Sequence, residues 1–403
     1  MDSVAQEVSC KQLPAFTKLM PAKLADTMIS IIKGADTKEI NVLDLCKRAT
    51  LEIIGQAGFG YAFGAIEGNQ SPYISVMRNF MPTFASLFRF KRCISWILFF
   101  IPRAVGTRLV EWAPSSYIQR LRKMADTQNE YSRHILASRK AVVSESGDGE
   151  FDDILSTLIC SNERADEAER LSEDQLRGQI NTFVFAGFET TSAALARIVH
   201  LITELPHIQT RLREELLNAN PDLQSLDKLP YLNAVVREAL RLHPPVPTIE
   251  RCAIKDWALP LRYPIKDNKH EMYIKKGTRV LISLSRANRC RETWGEDADE
   301  FRPERWLSSL PQSVTDAKIL GVYSPIMTFG AGPRSCIGYK FAILELKIVL
   351  SRLVKTFRFE PGQQSIEWSA YGCLSPHVVR KLEDGTIAPH EGPALPLMVS
   401  TIQ

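Results

Sequence analysis

The sequence predicts a mainly α-helical fold with short β-strands gathered late in the chain. Three observations predict it. Apolar residues recur at helical spacing from Leu13 to about Lys140. A stretch that begins at Ser172 contains no proline before Pro206, enough for one helix of about 33 residues and roughly 50 Å. Beyond Pro244 and Pro245 the texture changes to short extended runs punctuated by Pro303, Pro311 and Pro325. Helices first and strands last fit neither an all-β nor an alternating βα architecture.

The elements follow in order. Val42, Leu45, Ala49, Ile53, Ile54 and Ala57 mark one face of an early helix. Leu87 to Ile101 crowds Phe88, Phe90, Trp96, Ile97, Leu98, Phe99 and Phe100 beside Arg89, Lys91 and Arg92. That segment reads either as buried packing or as a surface that dips into a membrane interface or roofs an apolar cavity. Ser144 to Asp153, rich in Ser, Gly, Asp and Glu, reads as a solvated linker. Ser172 with Gln175 three residues on forms a capping box for the long helix. Two further helices are expected at Ile208–Leu217 and at Tyr231–Leu242, the second with Pro230 in its first turn. Arg279–Ser283 reads as a strand, Gly338 to about Lys355 as an amphipathic helix, and Leu395–Ser400 as a strand-like tail.

Composition removes several function classes. Of 403 residues 45% are hydrophobic and 24% charged, a globular balance. A net charge of +4 from 50 basic and 46 acidic residues, with no basic run interleaved with aromatics, argues against a nucleic-acid partner. The eight cysteines stand singly, without a CxxC pair or a zinc-type histidine spacing, as in a reducing compartment. Met1–Glu7 has no basic and apolar leader, and the apolar run Ile94–Ile101 is far short of the roughly 20 residues that span a bilayer.

The strongest chemical signal is Phe329-Gly-Ala-Gly332-Pro-Arg334-Ser-Cys336-Ile-Gly338, directly before a helix. The glycines let a tight loop approach a flat group, and Cys336 sits where the following helix dipole favours a thiolate. A thiolate there is a metal ligand or a nucleophile, and no histidine lies near it in sequence to act as base. On the long helix, Ala186-Gly187-Phe188-Glu189-Thr190-Thr191 places a glycine inside a helix, at about 1 kcal/mol relative to alanine, beside an acid and an alcohol. Taken alone, that hexapeptide reads as well as a solvent-facing Glu and a back-bonded Thr. Glu238 and Arg241 lie one turn apart on the helix before His243-Pro244-Pro245, and Phe301-Arg-Pro303-Glu304-Arg305-Trp306 follows.

Phe-x-x-Gly-x-Arg-x-Cys-x-Gly resembles the haem-binding loop of the cytochrome P-450 family, and the other segments fall in that family's order from Ser172 to the C-terminus. Weaker likeness, in Pro14-Ala-Phe16 and Phe59-Gly60-Tyr-Ala-Phe63, extends back to about residue 13. The texture is most similar to microsomal-type fungal members. The resemblance implies a single P-450-like domain over 1–403, with a helical substrate-side region at 13–143 and a haem core at 172–403. It implies that Cys336 is the axial iron ligand, that Arg334 pairs with a haem propionate and that Phe329 packs beside the thiolate, with Gly332 and Gly338 shaping the loop. Arg251, after the double proline, is the candidate for the other propionate. Gly187 would open a groove where dioxygen binds, while Glu189, a carboxylate connected to solvent, and Thr190 relay protons. Glu238, Arg241 and Arg305 would form a buried structural network.

Family members of this type carry, further N-terminally, an anchor helix, a Pro-rich hinge, most of a β-sheet and a helix whose Trp and Arg hold propionates; none is legible here, so a fold lacking that N-terminal part is expected. The implied activity is a haem-dependent monooxygenase that inserts one atom of O2 into an apolar small molecule, with electrons from NADPH through a cytochrome P-450 reductase. Terpenoid-like secondary metabolism is one setting and xenobiotic oxidation another. A haem-thiolate isomerase or dehydratase has no use for the Glu189–Thr190 pair, and a non-catalytic remnant stays open. Phe183, Val246–Ile249, the Leu87–Ile101 segment and the surroundings of Tyr371 are the expected substrate contacts. The resemblance implies a monomer at the endoplasmic reticulum membrane, although no anchor is legible; otherwise the chain would be cytoplasmic, with peripheral membrane contact through Trp96.

Overall fold

In a computed structural model the chain is described over residues 26–31, 37–69, 71–87, 101–146, 151, 153–219, 223–380 and 392–402. The expected aromatic segment around Trp96, Pro14–Phe16 and the side chain of Tyr371 lie outside those residues. After a helical turn at 26–31, strand β1 (Thr37–Asn41) leads into α1 (Val42–Ile53), followed by α2 (Pro72–Leu87), α3 (Arg103–Trp112), α4 (Ser116–Ser146) and α5 (Ile154–Arg164). The long helix α6 (Glu173–Glu204) is next, then α7 (Pro206–Asn218), α8 (Leu223–Lys228) and α9 (Pro230–Leu242). The last long helix is α10 (Tyr339–Thr356). The mainly helical class expected from the sequence is the class observed.

The strands form small antiparallel pairs: β2 (Thr248–Cys252) with β5 (Arg279–Ser283), β3 (Trp257–Ile265) with β4 (Lys269–Ile274), β6 (Gly321–Tyr323) with β7 (Ile326–Ala331), and β9 (Ile366–Tyr371) with β10 (Cys373–Val378). One three-stranded sheet joins distant parts of the chain in the order β1–β11–β8, with β8 at Phe357–Pro361 and β11 at Pro396–Thr401. Its register sets Ile40 opposite Leu397 and Val399 opposite Phe359, all four buried. Just beyond it, the Val42 N–H donates to the Leu395 carbonyl at 2.9 Å, and the Leu395 N–H donates to Asn41 Oδ1 at 3.0 Å.

Helix α6 is the axis of the core. Its start is the capping box expected from Ser172 and Gln175, with both reciprocal bonds made. Its first half alternates buried and open positions, whereas from Thr191 to Thr203 nearly every side chain is buried. A helix buried all round must be enclosed, and α1, α4, α9, α10 and β8 enclose this one. α9 starts at Pro230 as anticipated.

Two sequence expectations needed correction. The Val42–Ala57 run is not one regular helix: α1 stops at Ile53 and the chain passes into a π-helical turn over Ile54–Gly58. The chain then folds back over Gly55, where a Cβ would stand 2.5 Å from Phe63 Cδ2 and 2.6 Å from the Tyr61 carbonyl. The linker is shorter than Ser144–Asp153, because α4 continues to Ser146 and Asp153 is buried. Asp153 caps α5 by accepting from the Ser156 N–H at 2.9 Å and pairs with Arg139. A carboxylate with both duties is better placed inside than in a solvated loop.

A buried acid on α10 gives a prediction about pH. Glu345 is 2% exposed, and among the described residues no group meets hydrogen-bond geometry at either carboxyl oxygen. Burial pushes its carboxyl well above the usual carboxylate range, with only the Thr191 hydroxyl opposing. Its neighbour Lys347 is turned to Asp227 at 2.6 Å. The fold thus keeps a proton that the unfolded chain releases above a pH of about 4.3, and stability contributed at low pH is lost as pH rises from there. Glu345→Gln removes that loss, so thermal unfolding of the variant should lie above wild type at pH 8 and converge on it at pH 4. Parallel curves at all pH values would show a charged Glu345 and refute the reading.

Candidate active site

The loop Phe329–Gly338 is set between β7 and α10 and is held from behind. Thr328 donates its hydroxyl to the Leu240 carbonyl at 2.6 Å, and the Asn288 amide bonds Thr328 Oγ1 at 2.9 Å and accepts the Met327 N–H at 2.7 Å. Two segments, α9 and the one that carries Asn288, therefore fix the strand that delivers Phe329. Inside the loop the Cys336 N–H donates to the Phe329 carbonyl at 2.8 Å. Gly330 and Gly332 have φ of 73° and 70°, where a side chain is strained, and a Cβ at Gly338 would meet nothing within 4 Å. Phe329 packs edge-on to Tyr323 at 5.8 Å and tilted to Tyr339 at 6.0 Å.

This loop forms one side of a cavity of about 340 Å³. Phe329, Arg334, Cys336 and Gly338 line it from the loop, Phe183, Ala186, Gly187, Thr190 and Thr191 from α6, and Val246, Ile249 and Arg251 from the β2 segment. The structure thus brings to one apolar space the residues that the sequence marked in three distant segments. Cys336 is open to that space but has protein around it, and burial pushes its thiol up, opposed by the backbone N–H of Gly338. Burial thus acts against the helix dipole that the sequence places at Cys336. A cation opposite the sulfur would supply the missing stabilisation.

Glu189 is placed differently from expectation. It is buried, at 4% exposure, and its Oε1 accepts from Lys47 Nζ at 3.2 Å, so the carboxylate is enclosed rather than connected to solvent. Burial raises its carboxyl and the Lys47 ammonium opposes that rise. Lys47, on α1, is itself 8% exposed and escaped the sequence reading because its partner lies 142 residues away. The Thr190 hydroxyl donates back to the Ala186 carbonyl at 2.7 Å while its side chain lines the cavity. Gly187 does not leave an open groove on its own: a Cβ there would stand 3.2 Å from Ile54 Cγ1. Ile54 and Ile154, likewise not anticipated, also line the cavity.

Behind the loop, Glu238 and Arg241 are completely buried and Arg305 is 4% exposed. Arg241 makes two bonds of 2.8 Å to the Glu238 carboxylate and reaches the carbonyls of Asn288 and Ala298 at 2.9 and 2.7 Å. Arg305 Nε reaches Glu238 Oε1 at 3.3 Å and its Nη1 reaches Asp297 at 3.1 Å, while Trp306 Nε1 donates to Glu238 Oε2 at 2.8 Å. The two arginines and the acid that the sequence placed in separate motifs thus meet in one network. Arg237 stacks over Tyr323 at 4.2 Å and over Trp306 at 5.0 Å, linking the network to the ring that packs on Phe329.

The donor set discriminates among cofactors. Among the described residues no three His, Cys, Asp or Glu side chains converge on a metal position. One thiol, two guanidiniums and otherwise apolar walls fit a flat macrocycle with two carboxylates and an iron that takes a single axial sulfur. Fold and site together define a haem-thiolate type of protein.

Comparison with known proteins agrees. The family profile described as Cytochrome P450 matches residues 4–375. A cytochrome P450 monooxygenase of Postia placenta, number 91 of its series, is 38% identical over 384 residues, covering 91% of this chain and 70% of the relative. A ganoderic acid synthetase of Ganoderma lucidum is 37% identical over 365 residues, covering 85% of this chain and 66% of the relative, and a P450 monooxygenase of Hericium erinaceus is 32% identical over 407 residues, covering 92% and 72%. The chain belongs to the cytochrome P450 family and is an enzyme of the monooxygenase type. Among the described residues no helix is long and apolar enough to cross a membrane.

Proposed function

We propose that this chain is a haem-dependent monooxygenase of fungal secondary metabolism that oxidises an apolar small molecule. The observation that carries the reading is the presentation of Cys336, Arg334, Arg251 and Thr190 on one apolar cavity. Cys336 would ligate the iron of a bound haem, Arg334 and Arg251 would hold its two carboxylates, and Phe329 would shield the sulfur. Bound haem supplies the redox centre at which one atom of O2 is inserted and the other leaves as water. The protein's own contribution is to orient the substrate, exclude bulk water and move protons. Thr190 brings a hydroxyl to the cavity from α6, and Glu189, the preceding residue, lies outside the cavity lining with its carboxyl paired to Lys47, the acid–base group behind that hydroxyl.

Electrons come from NADPH through a reductase partner, and attachment to the endoplasmic reticulum membrane follows from likeness to the fungal relatives. Apolar wall residues such as Phe183, Val246 and Ile249 support a hydrophobic substrate, and the relative named as a ganoderic acid synthetase supports a secondary-metabolic one. The test is the carbon monoxide difference spectrum of the dithionite-reduced protein expressed with haem supply, beside Cys336→Ala. A red-shifted Soret band present in the wild type and lost in the variant is the expected result. The same histidine-type or neutral-ligand band in both proteins, or no haem uptake by either, would sink the assignment.

A further inference from the structure

Ile54 opens the π-helical turn and is fitted between two glycines. It is 5% exposed, and a Cβ on Gly187 would come within 3.2 Å of its Cγ1 and 3.3 Å of its Cδ1. On the other side a Cβ on Gly58 would stand 3.3 Å from the same Cδ1. The branched side chain therefore occupies space that two absent side chains leave, and it also lines the cavity. The turn that holds it is π-helical, and single π-turns within helices are frequent at functional sites. At Gly55 in the same turn an added Cβ would stand 2.5 Å from Phe63 Cδ2 and 2.6 Å from the Tyr61 carbonyl, so the chain has little room to shift behind Ile54.

We propose that Ile54 is a specificity-determining residue, its branched side chain closing the cavity at Gly187 and limiting the size of the apolar ligand admitted. The proposal rests on the haem-site reading of that cavity. No group on α6 needs to change for ligand size to change, because the limit is set by a residue of the neighbouring segment.

The test uses the haem-loaded enzyme and two probes, imidazole and 4-phenylimidazole, which share one ligating ring and differ by a phenyl group. Affinities are read from Soret titrations of wild type, Ile54→Ala and Ile54→Phe. The ratio of affinities should move about tenfold towards the phenyl compound in the alanine variant and about tenfold away from it in the phenylalanine variant, the size of a one- to two-methylene change in an apolar pocket. Adding Gly187→Ala to Ile54→Ala places a methyl in the vacated space and should return the ratio towards wild type. A purely packing role would lower the melting temperature and leave the ratio within about twofold in every variant, which overturns the proposal. The carbonyl spectrum of each variant reports separately on the haem reading, so failure of one is not mistaken for failure of the other.

Discussion

Glu238→Ala should lower the stability of the fold by about 3–5 kcal/mol, the scale of breaking a buried ion pair by removing one partner. Arg241 is then left without the Glu238 carboxylate in a site of zero exposure, and Arg305 keeps Asp297 and the Trp294 carbonyl. The loss is larger than for an exposed pair such as Arg358–Glu360, 63% and 47% open, where the expected effect is at most about 1 kcal/mol. Denaturant titration checks it, with an Arg358→Ala control. Haem retention should fall in parallel, because Trp306, Arg237 and Tyr323 connect the network to the ring beside Phe329. A variant with unchanged midpoint would show that the backbone carbonyls around Arg241 suffice.

Glu189→Gln should reduce product formation by about 10²-fold, the lower range for loss of a positioned acid–base group. The carboxylate is enclosed and paired with Lys47, so substitution by the amide removes the acid while keeping the shape. NADPH oxidation should continue with little product, and the ratio of product to NADPH consumed is the measurement. Lys47→Met tests the pairing: without the ammonium, burial acts unopposed and the Glu189 carboxyl rises further, so the pH dependence of that ratio should shift to higher pH. If Glu189→Gln is fully coupled, proton movement does not use this residue.

Much of the architecture was legible because the sequence carries local signals for it. Ser172 and Gln175 announce the start of α6, and Pro230 and the double proline after His243 bracket α9, since caps and prolines act within a turn or two. The site loop was equally legible, its glycines and cysteine lying within ten residues. What escaped was non-local. Nothing local in the sequence marks Lys47, to which α6 brings an acid, or Glu345, which faces Thr191 of α6. Gly187 reads as an open groove until Ile54 is seen against it. In each case the identity of the facing residue, set by helix–helix packing, decides the chemistry.

The sheet β1–β11–β8 has a bearing on synthesis. Asn41 and Leu395 are 354 residues apart, so the clasp that starts α1 cannot form until the segment around Leu395 has left the ribosome. The helix that carries Lys47, and the turn after it that carries Ile54, therefore wait for the last strand. During translation the segment must be protected by partial contacts or by chaperones, and a ribosome stalled before Leu395 would release a chain in which the loop around Cys336 is already made while the opposite wall of its cavity has yet to be fastened.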